Sequence, residues 1–489
     1  MNVRALLVST YDLGRQPFGL ASPAAWLRRE GIEVDCVDTS REPLDDGRIA
    51  AAALVGFYLP MHTATRLAAP LIERVRRINP SSRLCAYGLY APLNIGWLHD
   101  CGVHHVLGPE AEQDLVDLAR ATALEATASN AGACRPPSHG ASTDRLGRGE
   151  AGRARPGSSS LAVIDVVRMR GLQLIAPDRG GLPAPDRYAA LQMPDGSRRV
   201  VASTEATRGC KHLCRHCPIV PVYEGLFRIV PVDVDVEDVR AQVRRGAQHV
   251  SFGDPDFLNG PAHARRVVER IQAACPGLTF DATIKIEHLL DHADLLPVFR
   301  DSGCLFITSA VESIDDAVLE KLRKGHTRSD FIRAAGLCRD AGVTLAPTFI
   351  PFTPWTTLEG YVELLELIGS LGLVEHVPPI QLGIRLLVTA RSHLLELPEI
   401  SAIVESFDRQ SLTYPWRHVD QRVDALQEDV LRLVSAGAGQ PRAGVFGAIA
   451  ALARERAGMA PGRDPKALSG PVPSMTEPWY CCAEPMQQF

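Results

Sequence analysis

Long apolar runs are missing from this chain of 489 residues. Nowhere do about 18 consecutive apolar residues occur, the length that a membrane-spanning helix needs. A basic excess is missing too. The 52 Lys and Arg are outnumbered by 57 Asp and Glu, for a net charge of −5. That argues against nonspecific nucleic-acid binding, which draws on clustered positive charge. The opening residues Met1-Asn2-Val3-Arg4-Ala5-Leu6-Leu7-Val8 are too short and too quickly polar for a secretory signal, and read as a first strand. With no sign of export, the 12 cysteines suggest thiols and metal sites in a cytoplasmic protein rather than a disulfide framework. One stretch, Glu125–Ser160, has almost no large apolar residues and is dominated by Ala, Gly, Ser, Arg and Pro. It cannot bury enough surface to fold, so residues 123–160 read as a disordered linker, with Cys134 in it.

Apolar residues make up 46% of the chain, enough for two or three domains with a sizeable core. Cys36, Cys85, Cys101, Cys275, Cys304 and Cys338 mostly sit in apolar segments and read as ordinary buried residues. Three other cysteines stand apart. Cys210, Cys214 and Cys217 lie in Thr207-Arg208-Gly209-Cys210-Lys211-His212-Leu213-Cys214-Arg215-His216-Cys217, a Cys-x3-Cys-x2-Cys spacing. Three thiolates on one short loop can hold three corners of a 4Fe-4S cluster and leave the fourth iron open to a non-protein ligand. The alternative is zinc, with His212 or His216 as fourth ligand, although zinc favours paired Cys-x2-Cys knuckles.

This motif resembles the signature of the radical S-adenosylmethionine (SAM) superfamily. The resemblance implies that Cys210, Cys214 and Cys217 ligate the cluster, that its open iron chelates the amino and carboxylate groups of SAM, and that an electron from the cluster cleaves a carbon–sulfur bond. It implies an electron donor such as flavodoxin or ferredoxin. One departure is that the residue before the third cysteine, usually aromatic, is His216; an imidazole can also pack over the adenine.

Around the motif the chain divides into five parts. Residues 1–122 alternate strands (Val3–Ser9, Glu33–Asp38, Ala53–Tyr58, Leu84–Tyr87, His104–Leu107) with helices such as Ala21–Glu30. This predicts a doubly wound Rossmann-like α/β domain, with the loop Tyr11–Leu20 placed at the carboxyl edge of its sheet. The linker 123–160 follows. Residues 161–395 open on a hairpin turning at Met193–Ser197. Strands then read at Val201–Ala206, His249–Gly253, Leu278–Ile284, Leu305–Ala310, Val343–Ile350 and Ile380–Val388, joined by helices. Six strands in one direction predict a partial parallel (β/α)6 barrel, similar to the radical SAM core, with function at the carboxyl ends of its strands. Residues 396–460 read as helical and 461–489 as a flexible tail.

The barrel's other candidate residues follow its strand ends. Gly253 and Asp254 align with the family's Gly-Gly-Glu-like segment, which receives the SAM amino group; the alternative is an ordinary Gly-Asp turn. Glu312 resembles a family position near the ribose and methionine end of SAM. Lys285 sits at the barrel mouth, where charge marks a site or a salt bridge. The run Arg323-Lys324-Gly325-His326-Thr327 is placed to reach the SAM carboxylate, or ends a helix at Gly325. Thr348 falls where the family frames adenine, and Arg385 and Arg391 are candidates for an anionic group.

An α/β domain ahead of such a barrel looks like the cobalamin-binding radical SAM group. The Asp-x-His-x-x-Gly signature is absent, since Val103 stands where Asp is expected before His105. The domain therefore either binds cobalamin without a protein ligand on cobalt or is kept for packing or substrate access. The tail Trp479-Tyr480-Cys481-Cys482-Ala483-Glu484-Pro485 resembles that of the CUAEP/CCAEP-tail radical SAM protein family. Adjacent thiols at Cys481 and Cys482 suit redox or soft-ligand chemistry; the alternative is a loose terminus with incidental cysteines. The expectation is a radical SAM enzyme, transferase-like, acting on a small molecule with no nucleic-acid or membrane partner. Alternatives are transfer of a SAM-derived group to a thiophilic acceptor such as trivalent arsenic, or a non-catalytic SAM- or cobalamin-binding regulator. A peptide-modifying maturase is disfavoured by the lack of further cysteine-rich motifs or a peptide-docking domain.

Overall fold

Strand β1 (Arg4–Ser9) shows how the first layer forms. Its side chains alternate: Leu6 and Val8 pack with the helix His62–Ile78, while Ala5 and Leu7 pack with the helices Phe18–Arg29 and Glu112–Gly132. A strand buried on both faces belongs inside a parallel sheet. In the computed structural model, which describes residues 4–132, 173–462 and 470–477, that sheet has the order β2-β1-β3-β4-β5, with β2 at Glu33–Asp38, β3 at Leu54–Tyr58, β4 at Arg83–Tyr87 and β5 at His105–Val106. All pairings are parallel. The strand order reverses at β1, which opens a crevice at the carboxyl edge of the sheet.

The second sheet begins with a hairpin, β6 (Ala190–Gln192) and β7 (Arg198–Thr204), turning at Met193–Ser197. A small separate ribbon, β8 (Thr207–Gly209) with β9 (Phe227–Ile229), follows. Strands β10 (His249–Phe252), β11 (Thr279–Thr283), β12 (Cys304–Glu312) and β13 (Thr344–Phe349) then continue parallel to β7 in the order β13-β12-β11-β10-β7. The expected sixth strand is reduced. Pro379–Gly383 is a 3-10 turn, and a single parallel bridge joins Phe352 to Arg385. Pro378 and Pro379 have no N–H to donate, so a ladder cannot run through this segment.

Two other boundaries differ from expectation. The helix Glu112–Gly132 runs ten residues into the segment read as linker. Its Ala-rich sequence favours continuing a helix already docked at Leu115, Val116 and Ala119. The rest of that linker, with Cys134, lies outside the described residues. The tail is not loose from residue 461 onward. Ser474–Met475, β14, pairs antiparallel with β6, which closes an otherwise open sheet edge. Cys481 and Cys482 lie outside the described residues.

The helices Gln421–Ala436 and Arg442–Arg456 bury Leu426, Val430, Phe446 and Ile449 in the barrel's core. Ion pairs join the two layers, Arg208 with Glu112 at 2.6 Å, both buried, and Arg228 with Glu110 at 2.8 Å, while buried Arg179 pairs with Asp238 at 2.8 Å and donates to Gln16 Oε1 at 2.9 Å. Such pairs fix orientation more than they add stability. No helix among the described residues is long and apolar enough to cross a membrane.

Candidate active site

The cysteine loop is set by Gly209. Its φ is +78°, and a Cβ there would meet the Tyr223 ring at 2.5 Å and the Leu226 carbonyl at 2.6 Å, so only glycine fits. The loop is then pinned from several sides. The Lys211 N–H donates to Asn259 Oδ1 (3.2 Å), Asn259 Nδ2 donates to the Gly209 carbonyl (3.1 Å), and the Arg215 N–H donates to the Leu322 carbonyl (3.0 Å). Cys214 is buried, and Cys210 and Cys217 are half-buried. All three line one cavity of about 300 Å³. Burial pushes the Cys210 thiol up, and the carboxylate of Asp256 adds to it; burial also raises Cys214. A bound cation would offset that penalty and favour the thiolates.

The cavity lies between the carboxyl edges of the two sheets. The first sheet contributes Leu13, Tyr58, Met61, Tyr87, Leu89 and Pro109; the barrel contributes the cysteine loop, Gly253, Asp254 and Lys285. The histidines that line it, His212 and His216, both belong to the cysteine loop. His105 is on β5, half-buried and away from the cavity.

Asp254 is buried, with both oxygens engaged. Oδ2 accepts the Ala206 N–H (2.9 Å), and Oδ1 accepts the Thr207 N–H (2.5 Å) and hydroxyl (2.6 Å). Its carboxylate props the entry to the cysteine loop, where an acceptor for an amino group was expected. Burial lifts it to about 7, against the hydrogen bonds from Thr207 and Ala206.

Glu312 ends β12 at φ +70°, where the ladder to β13 slips register. A glutamate in that region is strained, and such strain gathers at functional sites. Its Oε1 lies 3.2 Å from His216 Nε2 and 3.4 Å from Lys324 Nζ. Burial alone would raise the acid, but Lys324 and His216 hold it below the usual carboxylate range. Glu312 Oε2, His216 Nδ1 and Ser309 Oγ are buried without hydrogen-bond partners among the described residues. Burial pushes His326 down to about 4, with Lys324 adding to it. Unpartnered buried polar atoms are costly, and this group of them marks a surface shaped for a polar ligand.

Other candidates fall elsewhere. Lys285 lines the cavity and donates to Glu287 at 3.2 Å. Thr348 is buried on β13 with its hydroxyl unpartnered, but it faces a separate cavity of about 60 Å³ that includes residues 472–475. Arg385 stacks on Trp416 at 3.5 Å and pairs with Asp424 at 2.7 Å, so its charge is already matched. Arg391 reaches only the Pro92 carbonyl, at 3.5 Å. Sequence reasoning passed over Asp12 and Glu205, both cavity residues. Burial lifts Asp12 to about 7, Arg15 opposing and Glu205 adding. The signal for Asp12 was the loop Tyr11–Leu20 itself, read as a position and not residue by residue.

Residues 204–368 match the radical SAM superfamily. The tRNA-2-methylthio-N(6)-dimethylallyladenosine synthase of Fusobacterium nucleatum is 26% identical over 180 residues, 34% of this chain and 40% of that protein. The chain thus spans about two fifths of the length of that relative. Among solved structures, the cobalamin-dependent SAM radical enzyme OxsB with aqua-cobalamin bound has a TM-score of 0.63 at 13% identity, covering 90% of this chain and 67% of that one. The radical SAM methyltransferase TsrM from Kitasatospora setae, with cobalamin and a [4Fe-4S] cluster bound, has a TM-score of 0.53 at 19% identity, covering 76% and 70%. At these identities the likeness is one of fold.

Proposed function

We infer, from a barrel whose residues 204–368 form a radical SAM domain, that this chain is a radical SAM transferase acting on a small molecule with a corrinoid between its two sheets. The observation that carries the reading is the placement of three loop thiols in one cavity at the facing carboxyl edges of both sheets. The donor set fits a 4Fe-4S cluster: Cys210, Cys214 and Cys217 would hold three of its irons and leave the fourth to a non-protein ligand. The apolar residues on the first-sheet side of the cavity, Tyr58, Met61, Tyr87 and Leu89, would be the wall against which a corrinoid packs. When bound, cluster, SAM and corrinoid supply the radical and group-transfer chemistry.

The chain's own residues have simpler tasks. Asp254 holds the cysteine loop by its first residues. Glu312, fixed by His216 and Lys324, offers its free Oε2 to a hydroxyl or ammonium of SAM. Lys285 sits where a carboxylate would be neutralised, and Gly253 leaves room for close backbone approach. Tyr58, Met61 and Leu89 exclude water from the reacting centre. The test is anaerobic reconstitution: one cluster per chain, a retained corrinoid spectrum, and SAM-dependent product with a reductant. SAM binding with no turnover of any small molecule would leave the regulator reading in its place.

A second reading has its own observation. Glu477 accepts the Tyr11 hydroxyl and pairs with Arg41 at 3.7 Å, which ties residue 477 to the loop whose Asp12, Leu13 and Arg15 line the cavity. Cys481 follows four residues on in the sequence, outside the described residues. Paired thiols there suit a soft acceptor such as trivalent arsenic, to which part of SAM would be transferred.

A further inference from the structure

Three side chains beside the cysteine loop converge on a common point. Asp256 Oδ2 lies 3.3 Å from His212 Nε2 and 2.6 Å from His288 Nδ1. The three come from different places: the loop after β10, the cysteine loop, and the helix Ile286–Asp291. Asp256 is fully buried and His288 nearly so, with 0% and 3% exposure. Asp256 Oδ2, His212 Nε2 and His288 Nδ1 are buried and, among the described residues, pair only with one another. Three ligand atoms within 4.8 Å of one another, two imidazole nitrogens turned toward one carboxylate oxygen, form an arrangement that a cation can occupy.

The outer contacts agree. His212 Nδ1 lies 3.6 Å from Glu287 Oε2, and a carboxylate on that side of the ring favours a proton on Nδ1, which leaves Nε2 for a metal. The other oxygen of Asp256 is taken by the Leu258 N–H at 3.3 Å, which orients the carboxylate. We propose that His212, Asp256 and His288 bind a mononuclear divalent cation of borderline softness, zinc being the example, separate from the three cysteines. Two imidazoles and one carboxylate suit such ions, whereas magnesium and calcium prefer all-oxygen cages. Ligand atoms about 2.1 Å from a tetrahedral ion lie about 3.4 Å apart, so the 3.3 Å pair needs no change and the 2.6 Å pair opens by under an ångström. The ion would staple the middle of the cysteine loop to the loop after β10 and to the helix Ile286–Asp291. It does so whatever reaction the neighbouring cavity supports.

The test is metal analysis of the full chain after anaerobic cluster reconstitution, incubation with zinc sulfate and desalting. One zinc per chain beyond the cluster iron is expected, and H288Q should lose it while retaining iron. A variant with Cys210, Cys214 and Cys217 all replaced by Ala should keep the zinc. Loaded instead with cobalt(II), it should show ligand-field bands without thiolate charge-transfer absorption. Zinc lost from the triple variant but kept by H288Q would assign the metal to the cysteines and overturn the proposal. So would wild-type protein with no zinc beyond background. If the triple variant does not fold, wild type against H288Q and D256N, each checked for iron, decides the question.

Discussion

Glu312 Oε1 and His216 Nε2 stand 3.2 Å apart in the barrel, both residues buried, one at the strained end of β12 and the other inside the cysteine loop. The pair couples the cluster loop to the strand end that faces the cavity. Glu312→Gln keeps the shape and removes the charge. Iron content should stay at the wild-type level, while SAM affinity falls about 10- to 100-fold, the loss of about 1.5–3 kcal/mol expected for a charge-assisted hydrogen bond. Anaerobic titration calorimetry measures this. Unchanged affinity would remove Glu312 from the SAM site.

Replacing Cys210, Cys214 and Cys217 together by Ala should abolish the cluster. Iron and sulfide analysis of the reconstituted variant, with its visible spectrum, is the check. A cluster surviving there would place the ligands elsewhere in the chain.

Asp254 should matter to architecture before it matters to SAM. Its oxygens accept from Ala206 and Thr207 at the entry to the cysteine loop. Asp254→Ala should therefore lower the melting temperature and the cluster retained after desalting. A buried acid lifted to about 7 also has a pH signature. In the unfolded chain its value is about 3.9, so between about pH 4 and 7 the folded protein holds a proton that the unfolded chain releases. Its contribution to stability is full below that window and is lost as pH rises through it, with a slope of up to about 1.4 kcal/mol per pH unit. Denaturation midpoints of cluster-free protein, followed upward from pH 5, should fall more steeply in wild type than in Asp254→Asn. Parallel curves would show that Asp254 does not titrate there.

A corrinoid at the first sheet's edge should be held by packing. Tyr58, Met61 and Leu89 line that side of the cavity, and His105 does not. Reconstitution and desalting should leave a corrinoid spectrum, and His105→Ala should leave it unaltered. Met61→Asp, which puts a charge on the apolar wall, should lose it. Repeated failure to retain corrinoid would favour a domain kept for packing.

What was legible in the sequence followed period and spacing. A strand such as Val3–Ser9 announced itself because a buried parallel strand is mostly apolar along its length. Cys210, Cys214 and Cys217 were legible because the spacing is itself the chemistry. The sixth barrel strand misled, because Ile380–Val388 is apolar enough for a strand while the prolines just before it remove the donors. Ser474–Met475 was missed because pairing there depends on the free edge of β6, not on anything local. Asp254 was legible as a position, while only coordinates show that its oxygens already accept from Ala206 and Thr207. The convergence of His212, Asp256 and His288 spans 76 positions between the first and last residue, and no local pattern joins them.

The tail pair should matter to chemistry and not to folding. Strand β14 and the contacts of Glu477 with Tyr11 and Arg41 end before Cys481, so the described core does not depend on the two thiols. Replacing Cys481 and Cys482 by Ser should leave iron content and melting temperature about unchanged. Serine keeps the shape but loses the soft, readily ionised donor. Product formation should collapse while SAM is still consumed without transfer. The anchor at Glu477 gives an independent handle. Glu477→Ala releases the strip from the Tyr11–Leu20 loop without touching either thiol, and should lower the turnover rate by about tenfold if the thiols act at the cavity and local concentration sets the rate. Wild-type turnover by the double Ser variant would end the thiol hypothesis. Wild-type turnover by Glu477→Ala alone would keep the thiols and discard the tether.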